Sequence, residues 1–465
     1  MTRVKVRPMR FISQIAGRYA LQRLTGALAL CAALILASAS TAAAQSISIV
    51  SDAETESMLR DYADPILRVA GLEPSAVKIH LVNDRRLNAF VAEGQQMFYN
   101  TGLITIVDSP LELIGVMAHE IGHMAGGHLV QRREHIGQLQ APMIASMILG
   151  VGAIAAGQPD AGMALILGGQ HLAERGFFAY TRSQESSADQ AGASYLQRAG
   201  ISGKGMLDLF ASMRDQEMLS AERQDPFARS HPMSAARFSA LETRVKASPY
   251  FERELPASEI HRFKMVQAKL HGFLDEPNTT FNRYPSSDNS DYARYARAVA
   301  YHRTGALSEA LTEIDPLLAS DPKNPYIHEV KGQILFESGR IEEAVTSYRQ
   351  SVELKPEDSQ LHLGLGRALL GRDGEENARA AIPHLLTGTR GAAQPFGFYQ
   401  LSIAYGRLDD IGMAELATAQ YYNALGRIKQ SKMHAARALK NLRQGSPEWL
   451  QAQDLAIQAD PAERG

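Results

Sequence analysis

The strongest constraint on the fold is a spacing. Gly305 and Gly339 lie 34 residues apart, as do Pro322 and Pro356, and Ala310, Ala344 and Ala378 recur at the same interval. Small residues returning at that period describe a unit of two packed helices that cannot bury its apolar face alone, and so stacks on copies of itself. Local sequence agrees: Ala300-Tyr301 precedes Gly305, Gly339-Arg340-Ile341-Glu342-Glu343-Ala344 opens the next pair, and Leu354-Lys355-Pro356 closes it. The pattern loosens after residue 380, with Ala404-Tyr405 and Ala414 marking a fourth unit. Residues 291–445 are expected to form an all-α solenoid with a concave, protein-binding face, followed by a tail over 446–465.

A period of 34 is that of tetratricopeptide repeats. They account for about a third of the 465 residues, and the length leaves room for one or two further domains. Charge is unevenly spread. No acidic residue precedes Asp52, whereas Arg3, Lys5, Arg7, Arg10, Arg18 and Arg23 supply six positive charges; the rest of the chain holds 42 basic residues against 50 acidic ones. An acidic remainder argues against nucleic acid as a partner. The basic start runs into an uncharged stretch, 25–40, and then Ala42-Ala43-Ala44-Gln45, the layout of an export signal over 1–44 cleaved after Ala44. Leu28-Ala29-Leu30-Cys31 has the rough form of a lipidation box but carries Leu30 where a small residue belongs. Cys31 is the one cysteine, so the exported chain has neither disulfides nor thiolate ligands, and any metal must be held by His, Asp or Glu.

Chemistry is concentrated in His119-Glu120-Ile121-Gly122-His123. Ser109-Pro110-Leu111-Glu112 opens a helix there, and Leu113, Val116, Met117, Ile121 and Met124 recur at helical spacing, so the helix is partly buried. Histidines four apart on a helix share one face, and both imidazoles can reach a single Zn²⁺ at about 2.0–2.1 Å. Glu120 is rotated about 100° from His119, placed to accept a proton from a metal-held water without ligating. His128 is one residue short of where a third histidine would ligate in the HExxHxxGxxH pattern, since position 129 is Leu, and is read as a helix-end residue. Glu185 and Asp189, four apart, offer the alternative: one can ligate the metal while the other accepts the second N–H of a ligating imidazole. Upstream, 53–69 reads as a helix, and 77–82, 88–92 and 96–100 read as strands of a small antiparallel sheet.

Asn88-Ala89-Phe90, Thr101-Gly102-Leu103, His119 to His123, Ser183 with Glu185-Ser186-Ser187-Ala188-Asp189, His231-Pro232 with Arg237, and the repeats together resemble the M48 peptidases of the periplasmic type with C-terminal tetratricopeptide repeats. The resemblance covers most of the chain beyond the export signal. It implies an α+β architecture: a mostly helical zincin domain of the gluzincin type over 45–250 with a small antiparallel sheet, a linker helix and loop over 251–290, and the all-α solenoid. It also implies one zinc ion per chain, with Glu185 as third ligand beside His119 and His123, and Asp189 supporting a ligand from behind. In the His-Pro-x4-Arg pattern, His231 is implied as a removable fourth ligand or an oxyanion stabiliser, with Arg237 completing the motif. Asn88, Ala89 and Phe90 are implied to form an edge strand that aligns substrate. Ser187 stands where the family has a second acid, at a position that is not a ligand.

The expected function is that of a periplasmic zinc metalloendopeptidase acting on unfolded or misassembled proteins, outer-membrane β-barrels and their assembly machinery, recruited by the repeats. A chaperone or assembly adaptor with latent proteolysis is the rival. Residues 141–157 carry no charge and 161–169 form a second apolar run, so a hairpin over 141–169, packed over the catalytic face or resting on a membrane, is also expected.

Overall fold

The computed structural model describes residues 48–155, 158–216, 226–390 and 395–458. The expected export signal lies outside them. Two compact units emerge, one of residues 126–188 and one of 49–125 with 189 onward.

In the larger unit, strand β1 (Ile49–Val50) leads into α1 (Ala53–Ala70), whose N-cap Asp52 accepts a hydrogen bond from the Thr55 amide at 2.8 Å. Strands β2 (Lys78–Val82), β3 (Ala89–Ala92) and β4 (Gln96–Asn100) fall on the three runs read from the sequence. Their pairing corrects the expected antiparallel sheet. β3 and β4 do form an antiparallel hairpin and β1 pairs antiparallel with β2, but β2 pairs with β4 in parallel, Lys78 opposite Gln96. Residues 83–88 cross over, so the second strand of the hairpin lies beside β2 and β3 becomes an edge of the order β1-β2-β4-β3. Glu93-Gly94 closes the hairpin but carries no signal for which of its strands meets β2.

After α2 (Thr101–Ile106), α3 (Pro110–Ala125) starts as its sequence requires. Ser109 Oγ accepts from the Leu111 amide at 3.1 Å, and the Glu112 carboxylate accepts from the Asp108 amide at 3.2 Å. Leu113, Val116, Met117 and Ile121 are fully buried, and α3 packs against α1. The smaller unit is a hairpin of α4 (His128–Ala155) and the first thirty residues of α5 (Pro159–Ala199). The last turns of α5 return to the larger unit, where α3 also packs on α6 (Lys204–Gln216). Then come α7 (Pro226–Ser230) and α8 (Ala235–Lys246), the latter capped by Ser234, whose Oγ accepts from the Arg237 amide.

Helices α9 (Ala257–Leu274) and α10 (Pro277–Arg283) lead, among the described residues, to five successive helix pairs: α11 (Asp291–Arg303) with α12 (Leu307–Ser320), α13 (Pro325–Glu337) with α14 (Ile341–Leu354), α15 (Ser359–Leu370) with α16 (Glu375–Gly388), α17 (Pro395–Arg407) with α18 (Ile411–Ala424), and α19 (Ile428–Asn441) with α20 (Pro447–Ile457). The stretch expected as a tail therefore includes α20, whose Ala452 is buried with Leu416 and Ala438. The start of α1 joins the repeats: Ala53 belongs to the same apolar cluster as Tyr326, Leu335 and Tyr348. Beside it, buried Lys269 reaches Asp52 at 2.6 Å, Glu329 at 3.3 Å and Glu54 at 3.5 Å.

Candidate metal centre

Helix α3 presents His119 and His123 one turn apart. Their Nε2 atoms are 3.1 Å from each other, and His119 Nε2 is 3.1 Å from Nδ1 of His231. Donors at about 3.3 Å from one another are what a tetrahedral ion with arms of about 2.0–2.1 Å requires. His119, His123, Glu185 and His231 are all buried, and each offers one ligand atom within 4.8 Å of the others. Glu185 sits on α5 one helical turn before Asp189. Imidazoles and a carboxylate without thiolate form a donor set that suits zinc, so the residues fit the ion the motif implies.

The support behind the donors is explicit. Asp189 Oδ1 lies 2.9 Å from Nδ1 of His119. Arg237 grips the same carboxylate with two parallel hydrogen bonds, Nε to Oδ2 at 2.8 Å and Nη2 to Oδ1 at 2.9 Å, and donates a third to the Pro232 carbonyl. Burial alone would push the Asp189 pKa up, but hydrogen bonds and charge from His119 and Arg237 outweigh it and hold the carboxyl below its ordinary value. An ionised Asp189 fixes the proton of His119 on Nδ1 and leaves Nε2 as the donor nitrogen.

Glu120 is buried, with Oε1 3.5 Å from Nε2 of His231. Close by, the Tyr99 phenol is pushed well above its usual pKa by burial and then by the charge of Glu120. His231 follows α7 and packs on Phe227, ring centres 4.5 Å apart. The Phe227 amide donates to the Leu87 carbonyl at 3.4 Å, tying the segment before His231 to the residue before Asn88. On edge strand β3, Ala89 is buried and Phe90 stacks on Phe98 at 4.8 Å. The Asn88 carbonyl accepts from the Asn100 amide, while Asn88 Oδ1 is buried with no hydrogen-bond partner among the described residues.

His119, Glu120, His123, Glu185, Asp189, His231 and Arg237 are thus brought together, and His128 is outside the donor group, its carbonyl accepting from Gln184 at 3.1 Å. Three contributors went unread in the sequence. Phe210 and Phe227 turn toward His119 edge-on, with ring centres 5.5 and 6.2 Å away. Gly192 lets α5 lie directly on α3, since a Cβ there would be 2.9 Å from the Ala118 carbonyl oxygen. Their apolar or small character was visible; the pairing of distant helices that gives it meaning was not.

A glutamate between two helix-borne ligand histidines, in a buried donor set completed by a carboxylate, is the arrangement of a metalloprotease. Residues 52–245 match the model of peptidase family M48, and residues 332–371 match that of a TPR repeat. The first of these segments contains the donor group, and the second lies within the helix pairs that follow it. The chain is similar to the beta-barrel assembly-enhancing protease of Escherichia coli K12, 25% identical over 376 residues that cover 79% of this chain and 75% of the relative. The protein of that name from Yersinia pestis is 26% identical over 62% of this chain and 60% of its own length. The metalloprotease YcaL of Escherichia coli K12 is 29% identical over 37% of this chain and 63% of its own length.

Proposed function

We propose that the protein is a periplasmic zinc metalloendopeptidase that cleaves unfolded or misassembled proteins, outer-membrane β-barrels in particular, and that its repeats recruit those substrates or their assembly machinery. The observation that carries the reading is the buried donor group His119, His123, Glu185 and His231 beside the Glu120 carboxylate. The names of the relatives and the repeats support the choice of substrate and partner.

His119, His123 and Glu185 would hold one zinc ion, which supplies Lewis acidity to the scissile carbonyl and acidifies the attacking water. Glu120 accepts the proton of that water and delivers it to the leaving amine. His231 donates a hydrogen bond to the developing oxyanion when it is turned away from the donor group. An extended segment adds to the β3 edge at Asn88, Ala89 and Phe90, a docking mode that selects unfolded chain over folded protein. Asp189 and Arg237 keep His119 in one tautomer and one orientation throughout.

His231 also favours a second reading. Its Nδ1 lies at ligand distance from the other donors, and a fourth protein ligand would leave no position for substrate, as a chaperone or adaptor with latent proteolysis requires. Incubation of purified residues 45–465 with an unfolded outer-membrane barrel separates the two. Zinc-dependent cleavage that disappears in Glu120→Gln is expected; a zinc-loaded wild type that leaves every unfolded barrel intact would sink the peptidase reading in favour of the adaptor.

A further inference from the structure

The hairpin of α4 and α5 is packed in the reverse sense to a hairpin built for water. Glycines bring the backbones of its two legs together: a Cβ on Gly150 would lie 2.6 Å from the Gly162 carbonyl oxygen and also strike Ile166, one on Gly162 would lie 2.4 Å from the Gly150 carbonyl oxygen and also strike Ile154, and one on Gly169 would strike the Ser146 side chain. Ile154 and Ile166 pack on these glycines, and other large apolar side chains point outward. Ile144, Ile148, Leu149, Leu165, Leu167 and Leu172 are 44–73% exposed, and they are spread around both legs rather than gathered on one stripe. In water such a surface is a liability, whereas in hydrocarbon helices associate in this way, by close approach of backbones at small residues. An apolar cleft of about 350 Å³, lined among others by Met143, Leu165 and Leu172, opens between the legs and has the character of an acyl-chain groove.

Charge is distributed to match. Between 141 and 169 the only charged residue is Asp160, in the first turn of α5. Where the apolar stretch ends, Arg132, Arg133 and Glu134 stand on α4 and Glu174, Arg175 and Arg182 on α5, four positive charges against two negative. Arg132 lies over the Phe177 ring at 5.4 Å, and His135 stacks on Tyr180 at 4.1 Å. Arginines interleaved with aromatic rings, net positive and adjacent to an apolar segment, complement the headgroup layer of an anionic bilayer.

We infer that residues 141–169 insert as a helical hairpin into the acyl layer of a membrane containing anionic phospholipid, with the arginine and aromatic belt at the headgroups. The apolar part of α4, residues 141–155, is about 22 Å long at 1.5 Å per residue, more than one leaflet and less than the roughly 30 Å of a full hydrocarbon core. The legs therefore lie obliquely in one leaflet, and Asp160 at the start of α5 opposes deeper entry. This anchoring is independent of whether the metal centre hydrolyses peptides.

Flotation of purified residues 45–465 with vesicles of phosphatidylethanolamine and phosphatidylglycerol tests it. The protein is expected to rise with the vesicles and to stay on them in about 0.5 M salt, because burial of apolar side chains survives screening. The Ile148→Asp/Leu167→Asp variant is expected to lose at least about tenfold of the floated fraction while keeping the zinc content and melting temperature of wild type. Wild type that remains at the bottom, wild type stripped by salt, or a variant that floats equally well overturns the proposal. So does self-association without vesicles that the variant abolishes, since the hairpin would then be covered by a second copy of the chain.

Discussion

Arg237 holds both carboxylate oxygens of Asp189, at 2.8 and 2.9 Å, while Asp189 faces Nδ1 of His119 at 2.9 Å. The guanidinium thus acts on the donor group through one intermediary and never touches it. Arg237→Ala and Asp189→Asn are each expected to weaken zinc binding by about 10–100-fold. Competition against a chelator of known affinity measures this, and an unchanged affinity would show that His119 is oriented by packing alone.

Glu120→Gln keeps the size of the side chain and removes the carboxylate that we propose as the base. Zinc should still bind stoichiometrically, while cleavage of an unfolded barrel should fall by about 10²–10⁴-fold, the usual weight of a positioned general base. A loss of zinc in this variant would instead make Glu120 part of the donor set.

His231→Ala removes the fourth buried donor and the group 3.5 Å from Glu120. If His231 acts chiefly to occupy the open position, the variant cleaves faster than wild type in single-turnover assays at saturating zinc. A slower variant with the same zinc affinity would assign His231 to the oxyanion.

Much of this site could be read in the chain before it was folded. His119, Glu120 and His123 announce themselves because a helix converts a spacing of four into a shared face, and the repeats do so because a period survives substitution at most positions. By spacing alone Glu185 and Asp189 were legible only as a pair of acids with two interchangeable roles, which the family resemblance told apart; in the structure Arg237 takes Asp189. Phe210, Phe227 and Gly192 could not be found at all, because contact between α3 and partners about 70 to 110 residues further on leaves no local pattern. The parallel β2–β4 pairing failed for the same reason: a turn sequence fixes the hairpin it closes and says nothing of the strand on the far side.

Glu56, half-buried on α1, is pushed up to about 7 chiefly by burial, against hydrogen bonds from Gln360 and Asp52 that favour its charge. A carboxyl whose folded pKa is raised contributes most below its unfolded value near 4.5, and that contribution is lost as pH rises through about 7. Glu56→Gln, a mimic of the neutral form, should therefore melt like wild type at pH 4.5 and at higher temperature than wild type at pH 8. Equal differences at the two pH values would refute the burial argument.

Lys269 is the buried cation against Asp52, Glu54 and Glu329. Lys269→Ala strands three acids in the interior and should cost about 3–5 kcal/mol, the range for breaking a buried ion pair from one side. Denaturant unfolding gives the number, and a loss under 1 kcal/mol would mean water reaches the acids.

Ala53 opens α1, at the head of the segment that matches peptidase family M48, and belongs at the same time to the apolar cluster of Tyr326 and Leu335 in the repeats. The two functions are consequently not beads on a string. Cutting the gene between them would tear a shared seam and expose Lys269 with its acids, so neither half should be expected to survive as an autonomous module, and swapping in the repeats of another protein would require transplanting the beginning of the peptidase as well.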